Sequence, residues 1–246
     1  MDEIRKTFHN DLESVRAEVI RLGASLTEAI PRATEVLLSA DLEGADYLIQ
    51  SDVDFNSRAT GVESSCFEIL ALQAPVAGDL RQIVAIIKIA GELERSADLV
   101  VNICKAARRI YGHDIDPVLR GVISKMSEQA QQLFASTMEA FEESDAAKAA
   151  AIDDMDSYLD SLHRQFVQLI FESHANNKID LQVAVQLAVV ARFYERIGDH
   201  AVNVSERTRF IVNGWVQGGG GLDQYARTAE QIGDRTGEIP IVPETN

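Results

Sequence analysis

The chain carries its own outline twice. Glu94-Arg95-Ser96-Ala97-Asp98-Leu99-Val100-Val101-Asn102-Ile103 returns as Glu195-Arg196-Ile197-Gly198-Asp199-His200-Ala201-Val202-Asn203-Val204, an offset of 101 residues. Asp79-Leu80 returns at the same offset as Asp180-Leu181. Upstream, Phe55-Asn56, Val62 and Phe67 fall opposite Leu159-Asp160, Phe166 and Phe171 at an offset of 104, so the intervening loop differs in length. Three collinear matches separated by one loop indel indicate duplication, and duplication confines the fold to two like modules.

Each module reads as three long helices. From Glu3 to about Ala40, Leu12, Val15, Val19, Leu22, Leu26 and Ile30 recur at helical spacing. Pro31 lies within that run and is expected to kink or split it. Asp41 suits an N-cap for a second helix running to about Leu72. Ala74-Pro75 marks a turn, and Asp79 begins a third helix. There Ile83, Ile86, Ala90, Leu93, Ala97, Val101 and Cys104 form the seam of a packed bundle. The expected fold is all-α, two tandem three-helix bundles of repeated topology. The first spans residues 1–112 and the second 117–217, with helix breaks near Ser144-Asp145 and Ala175-Asn176-Asn177. Residues 218–246 open on a glycine run and read as a flexible tail.

A net charge of −16 repels polyanions, and no dense basic run offsets it, so nucleic acid is not an expected partner. Cys66 and Cys104 are far apart and sit in apolar patterns, which suits small buried residues rather than a disulfide or zinc site. The N-terminus lacks a signal-peptide core, and no apolar run is long enough to span a bilayer, so a cytoplasmic location is expected.

Glu94, Asp98 and Asn102 share one helical stripe at i, i+4 and i+8, and Glu195, Asp199 and Asn203 repeat it. Each stripe flanks the apolar seam, where a half-buried carboxylate needs a compensating partner. Two compensations are open. One is ion pairing with arginine, Arg95 and Arg196 being adjacent. The other is a bound cation, since such carboxylate arrays suit iron, manganese, magnesium or zinc. A carboxylate ligand must be deprotonated, so metal affinity should fall as pH drops toward about 4.

Other candidates are weaker. Asp160-x-x-His163 has the spacing of some di-iron ligands but occurs once, and reads better as a polar helix face. His200 points about 100° away from the stripe and is expected in solvent. Asp52-x-Asp54 and Asp153-Asp154-x-Asp156 read as solvated acidic faces. His9, His113 and His174 form no ligand-spaced group. Phosphate-loop, dinucleotide, nucleophile-elbow and HExxH motifs are all lacking from the sequence, so no enzyme is expected.

The segment Leu72-Gln73-Ala74-Pro75-Val76-Ala77-Gly78-Asp79-Leu80-Arg81 is similar to the first-repeat signature of the PhoU family, and the two acidic stripes resemble that family's duplicated motif. The resemblance covers about residues 3–214. It implies a pair of three-helix bundles, homodimeric, with iron or other metal clusters on the duplicated motif. It also implies a non-enzymatic adaptor that damps phosphate uptake and starvation signalling. The adaptor would act between a phosphate ABC transporter ATPase and a phosphate-sensing histidine kinase, and meet the membrane only through such partners. On this resemblance the metal ligands are Glu94, Asp98, Glu195 and Asp199, supported by Asn102, Asn203 and Asp160. Two departures, Ser96-Ala97 for the usual Ile-Gly and Asn56 opposite Asp160, weaken the first site more than the second. A carboxylate-bridged helical-bundle metalloenzyme and a purely structural dimerisation module are the alternatives.

Overall fold

The computed structural model describes residues 2–214, with side chains from Thr7 onward. Six helices follow one another: α1 (Asp2–Ser39), α2 (Leu42–Gln73), α3 (Ala77–Arg109), α4 (Pro117–Glu143), α5 (Ala146–Ala175) and α6 (Leu181–Asn213). The first three form one repeat and the last three the other. The expected tail from residue 218, and the end of the second bundle at 217, lie outside the described residues.

The helix starts are written in aspartates. Asp41 accepts from Gly44 N at 2.9 Å, Asp116 from Val118 N at 3.1 Å, Asp145 from Ala147 N at 2.8 Å, and Asp180 from Val183 N at 2.8 Å. α3 differs. It begins two residues before Asp79, after Val76, with no side-chain cap. Asp79 therefore lies inside the first turn, where its charge still favours the positive helix end. The turn before it holds Ala74 and Ala77 at φ of 44° and 48°, a left-handed conformation costly for alanine. Pro31 does not split α1, which runs unbroken past it. Ile30, Ala33, Thr34 and Leu37 are all buried around it, and that packing outweighs one missing backbone hydrogen bond.

The apolar periodicity of α1 and the α3 seam are both buried. Cys66 and Cys104 are free thiols within the core, and burial pushes both up to about 12. On α3 a second set is buried as well, Ala85, Ile89, Ser96, Leu99, Ile103 and Ala106. That face meets α6. Arg109 reaches Gln186 and Gln182 donates to the Arg109 carbonyl, while Glu92 meets His200, so α3 and α6 run antiparallel.

α1 and α4 also pack antiparallel, and their contacts are reciprocal. Arg16 on α1 donates to the Phe141 and Glu142 carbonyls and to Ser144 Oγ at the end of α4, with its guanidinium 4.6 Å from the Phe141 ring centre. Arg120, its equivalent at the 104 offset, donates to the Leu38 carbonyl at the end of α1 at 2.7 Å. Thr34 bonds Ser127 at 2.7 Å and Tyr194 at 2.5 Å in the core. The equivalent positions are Met138 and Gly23, and a Cβ on Gly23 would lie 2.6 Å from the Met138 sulfur. The two repeats are thus related by an approximate two-fold axis across the α1/α4 and α3/α6 contacts.

Both arginines donate to carbonyls in the last turn of the opposite helix, where intrahelical partners run out, although the Phe141 carbonyl also accepts from Ser144 N at 3.2 Å. Arg16→Ala is expected to lower unfolding free energy by about 1–3 kcal/mol, since three acceptors lose a charged donor. Arg120→Ala, with one acceptor, should lose less. Urea titration of both variants measures the difference; equal losses would place the stabilisation elsewhere.

Candidate functional site

The α2/α3 and α5/α6 hairpins each gather acids across the helix pair. In the first repeat, Asp52 and Asn56 on α2 stand with Glu94 and Asp98 on α3. Asp52 is raised above the ordinary carboxylate range by burial and by Asp98, and Glu94 by burial, Asp98 and Asp52. In the second repeat, Asp156 and Asp160 on α5 stand with Glu195 and Asp199 on α6. Asp156 is pushed up to about 6 by burial and then by Asp160, Asp199, Glu195 and Asp153. Glu195 is raised by burial and Asp199, against the pull of Arg192.

The second cluster is the tighter one, and Gly198 explains it. A Cβ there would overlap Asp156 Oδ1 and lie 2.9 Å from Leu159 Cδ2. The Asp156 carboxylate rests directly on the α6 backbone. Ala97 occupies the equivalent place in the first repeat, and Asn56 replaces Asp160 there. The Asn56 amide donates to Asp52 Oδ2 at 3.2 Å and partly offsets that carboxylate's charge.

Arginine compensates little of this. Arg95 pairs with Glu92 at 2.5 Å, off the stripe. Arg196 forms no ion pair with either cluster among the described residues. Glu195 does have an arginine, but it is Arg192, one turn earlier. Three buried oxygens, Asp52 Oδ1, Asn56 Oδ1 and Glu195 Oε2, have no hydrogen-bond partner. Mutually repelling carboxylates with orphaned oxygens are the donor set that a hard cation satisfies. The side chains stand as open arrays: among the described residues no three His, Cys, Asp or Glu groups converge closely enough to hold an ion as they lie.

His200 is not in solvent. It is buried, with Nδ1 2.7 Å from Glu92 Oε2, and Asn203 Nδ2 donates to the same oxygen at 3.1 Å. The 100° step from Asp199 turns His200 onto α3. Burial alone would raise Glu92, yet hydrogen bonds from His200, Asn203 and Arg95 hold it down at about 2.

A PhoU domain model matches residues 19–107 and again 123–208. The chain belongs to the PhoU family. "Phosphate-specific transport system accessory protein PhoU homolog 2" of Mycobacterium tuberculosis is 33% identical over 212 residues, covering 86% of this chain and 99% of that protein. The crystal structure of PhoU from Pseudomonas aeruginosa superposes with a TM-score of 0.79 at 25% identity, covering 85% of this chain and all of that one. The phosphate transport system regulatory protein PhoU from Streptococcus pneumoniae shares the fold, with a TM-score of 0.78 at 24% identity over 85% of this chain and 98% of that one.

Within this PhoU-family chain the structure brings Glu94 with Asp98, and Glu195 with Asp199 and Asp160. Asn203 commits its amide nitrogen to Glu92 across α3/α6, because two 40° steps carry it 80° round from Glu195. Asn102 is half-buried. Asp52 and Asp156, solvated faces by sequence spacing, are instead half-buried members of the clusters; Asp54, by contrast, is exposed. The signal was present: Asp52 maps onto Asp156 at the 104 offset that joins Asn56 to Asp160.

Two outcomes follow from Asp156. Its folded value of about 6 exceeds its ordinary 3.8, so between these values the folded chain holds more protons than the unfolded one. Stability of metal-free protein should fall as pH rises through that window and level off above it. Raised Glu94, Glu195 and Asp52 add to the trend, whereas lowered Glu92 acts below its ordinary 4.5. Melting curves in chelator from pH 4.5 to 7 should show the fall, flattened by Asp156→Asn; an unflattened curve would assign it to other groups. Protons should then compete with metal near pH 6 at the second cluster, higher than the pH near 4 expected from ordinary carboxylates. Gly198→Ala should destabilise by about 1–3 kcal/mol through overpacking, with part of the loss restored by adding Asp156→Ala. Additive losses would mean that Asp156 does not depend on the missing Cβ.

Proposed function

We propose that this chain is a regulatory adaptor that restrains phosphate uptake and the phosphate-starvation response. It acts in the cytoplasm as a homodimer, between a phosphate ABC transporter ATPase and a phosphate-sensing histidine kinase. The observation that carries this reading is the PhoU domain match in both repeats, reinforced by curated relatives named as accessory proteins of phosphate-specific transport. No described helix is long and apolar enough to cross a membrane, which is consistent with an adaptor that reaches the transporter through its soluble subunit. The adaptor is not an enzyme: its relatives are named as accessory or regulatory proteins, and the chain lacks the paired Glu-x-x-His of helical-bundle oxidases.

The acid clusters hold metal ions, iron first, with manganese, magnesium and zinc as competing occupants. Asp156, Asp160, Glu195 and Asp199 would bind in the second repeat, and Asp52, Glu94 and Asp98 with Asn56 in the first. The support is the orphaned oxygens and the raised carboxylates, which a cation would satisfy and lower. A bound ion would tie α2 to α3 and α5 to α6, stiffening the two faces that the adaptor presents.

A deletion strain in phosphate-rich medium is expected to derepress alkaline phosphatase and phosphate uptake; unchanged levels would defeat the regulatory reading. For the metal, elemental analysis and melting with and without iron or manganese are compared among wild type, Asp199→Asn and Asp98→Asn. Asp199→Asn should strip most metal from the second cluster while leaving metal-free melting intact, and Asp98→Asn should lose less. A wild-type melting temperature indifferent to chelation, with Asp199→Asn lower in either condition, would make the stripe an ion-pair network and favour the structural alternative.

A further inference from the structure

The repeats part company beside the acid clusters. At the 101 offset Arg192 corresponds to Gly91, and at the 104 offset His163 corresponds to Ala59. In the second repeat Arg192 is exposed on α6 and His163 is half-buried on α5. Arg192 pairs with Glu195, and burial, followed by the Arg192 charge, holds His163 below the ordinary imidazole range. In the first repeat both are cut back, and a groove of about 270 Å³ opens between α2 and α3. Its walls are Asn56, Ala59, Glu63, Ile87, Gly91 and Glu94.

The groove is rich in acceptors. Asn56 Oδ1 is buried without a partner, and neither Glu63 nor Glu94 forms an ion pair among the described residues. Arg95 lies over Gly91 and pairs with Glu92; its charge also acts on Glu94, without an ion-pair contact there. Toward the hairpin tip the same helix pair exposes Phe67 at 54% and Leu80 at 40%. The apolar tip is common to both repeats, since Phe171 and Leu181 are equivalent and exposed at 71% and 64%. At the groove itself the two repeats differ, with Gly91 and Ala59 standing where the second repeat has Arg192 and His163.

We infer that this groove receives an arginine side chain from a partner protein, its guanidinium entering beside Gly91, where the second repeat carries its own Arg192, and pairing with Glu63 and Glu94. Apolar residues flanking that arginine rest on Phe67 and Leu80. A planar fork of five donors matches the carboxylates and the orphaned amide oxygen better than a compact ammonium does. The chain's net charge of −16 draws such a segment in. The inference holds whichever pathway the partner serves; a cation held by Glu94 and Asn56 would compete with the guanidinium, so binding is read without metal.

The test uses the full chain in chelator, titrated with N-acetyl-Leu-Arg-Leu amide and, separately, with its Leu-Gln-Leu counterpart. Backbone amide shifts of Thr60 and Gly91 report the groove. Saturable shifts are expected with the arginine peptide, at least about tenfold weaker with glutamine, the loss expected when a charged pair is removed. Gly91→Arg places an arginine where the second repeat has one and should abolish the shifts at Thr60, while Glu63→Gln should weaken them several-fold. Gly91→Arg should fold, because a Cβ there meets only the Arg95 guanidinium at 3.7 Å, and arginine is the better helix former. Equal binding of both peptides, no localised shifts, or unchanged binding in Gly91→Arg would overturn the proposal. A wild-type dimer that Gly91→Arg turns into a monomer would assign the groove to a second copy of this chain and overturn it too. Retained peptide binding with loss of manganese binding in Gly91→Arg, the latter measured in a separate titration without chelator, would assign it to a cation, with the same result.

Discussion

A three-helix bundle needs each helix to be apolar along one stripe, but α3 and α6 are apolar along two. Ile86, Ala90, Leu93 and Cys104 face into the first repeat, while Ala85, Ile89, Leu99, Ile103 and Ala106 are buried on the other side. Neither repeat can bury that second stripe by itself. Removing it from water requires a matching stripe, and the duplicated chain supplies one through α6. Antiparallel pairing of α3 with α6 then brings α1 against α4, places the Arg16 and Arg120 guanidiniums over the ends of the opposite helices, and leaves the α2/α3 and α5/α6 hairpins on the outside.

The outer hairpins are where charge is concentrated at some expense to stability. Half-buried carboxylates facing one another resist ionisation, and orphaned oxygens are rare in a finished core. Both features occur in both repeats, yet with different local solutions. Gly198 lets Asp156 sink against α6, whereas the first repeat has Ala97 at that position and Asn56 dilutes its charge. Arg192 covers Glu195 from one side, while Gly91 leaves Glu94 beside an open groove. The repeats share a scaffold and an acid pattern, and they have diverged in what each can accept at that pattern.

Much of this was legible from residue order, because a helical stripe is a property of one helix. The i, i+4 acids, the aspartate at residue 41, the apolar seam and the buried cysteines all appear in the spacing. Features made between helices are harder to read. Asp52 and Asp156 look like surface acids until the opposite helix is in register, and His200 looks solvated until α6 is seen to carry a second buried face. The pairing of Glu92 with His200 left no periodic trace, since its partners are 108 positions apart. Offsets of 101 and 104 held part of the missing information, because they place residues of one repeat on those of the other even where chemistry has changed.

The contacts across the two-fold axis are no longer alike on its two sides. Glu92 meets His200, while the equivalent positions hold Phe193 and Leu99; Thr34 meets Ser127, while the equivalent positions hold Met138 and Gly23. An ancestral single repeat would have assembled with an identical copy of itself. Its descendants have lost that freedom: two first halves brought together would set Thr34 against Gly23 on both sides and Glu92 against Leu99 on both sides, the latter leaving a carboxylate facing hydrocarbon. Fusion into one polypeptide allowed each half to specialise for the other, and that specialisation now forbids a return to interchangeable subunits.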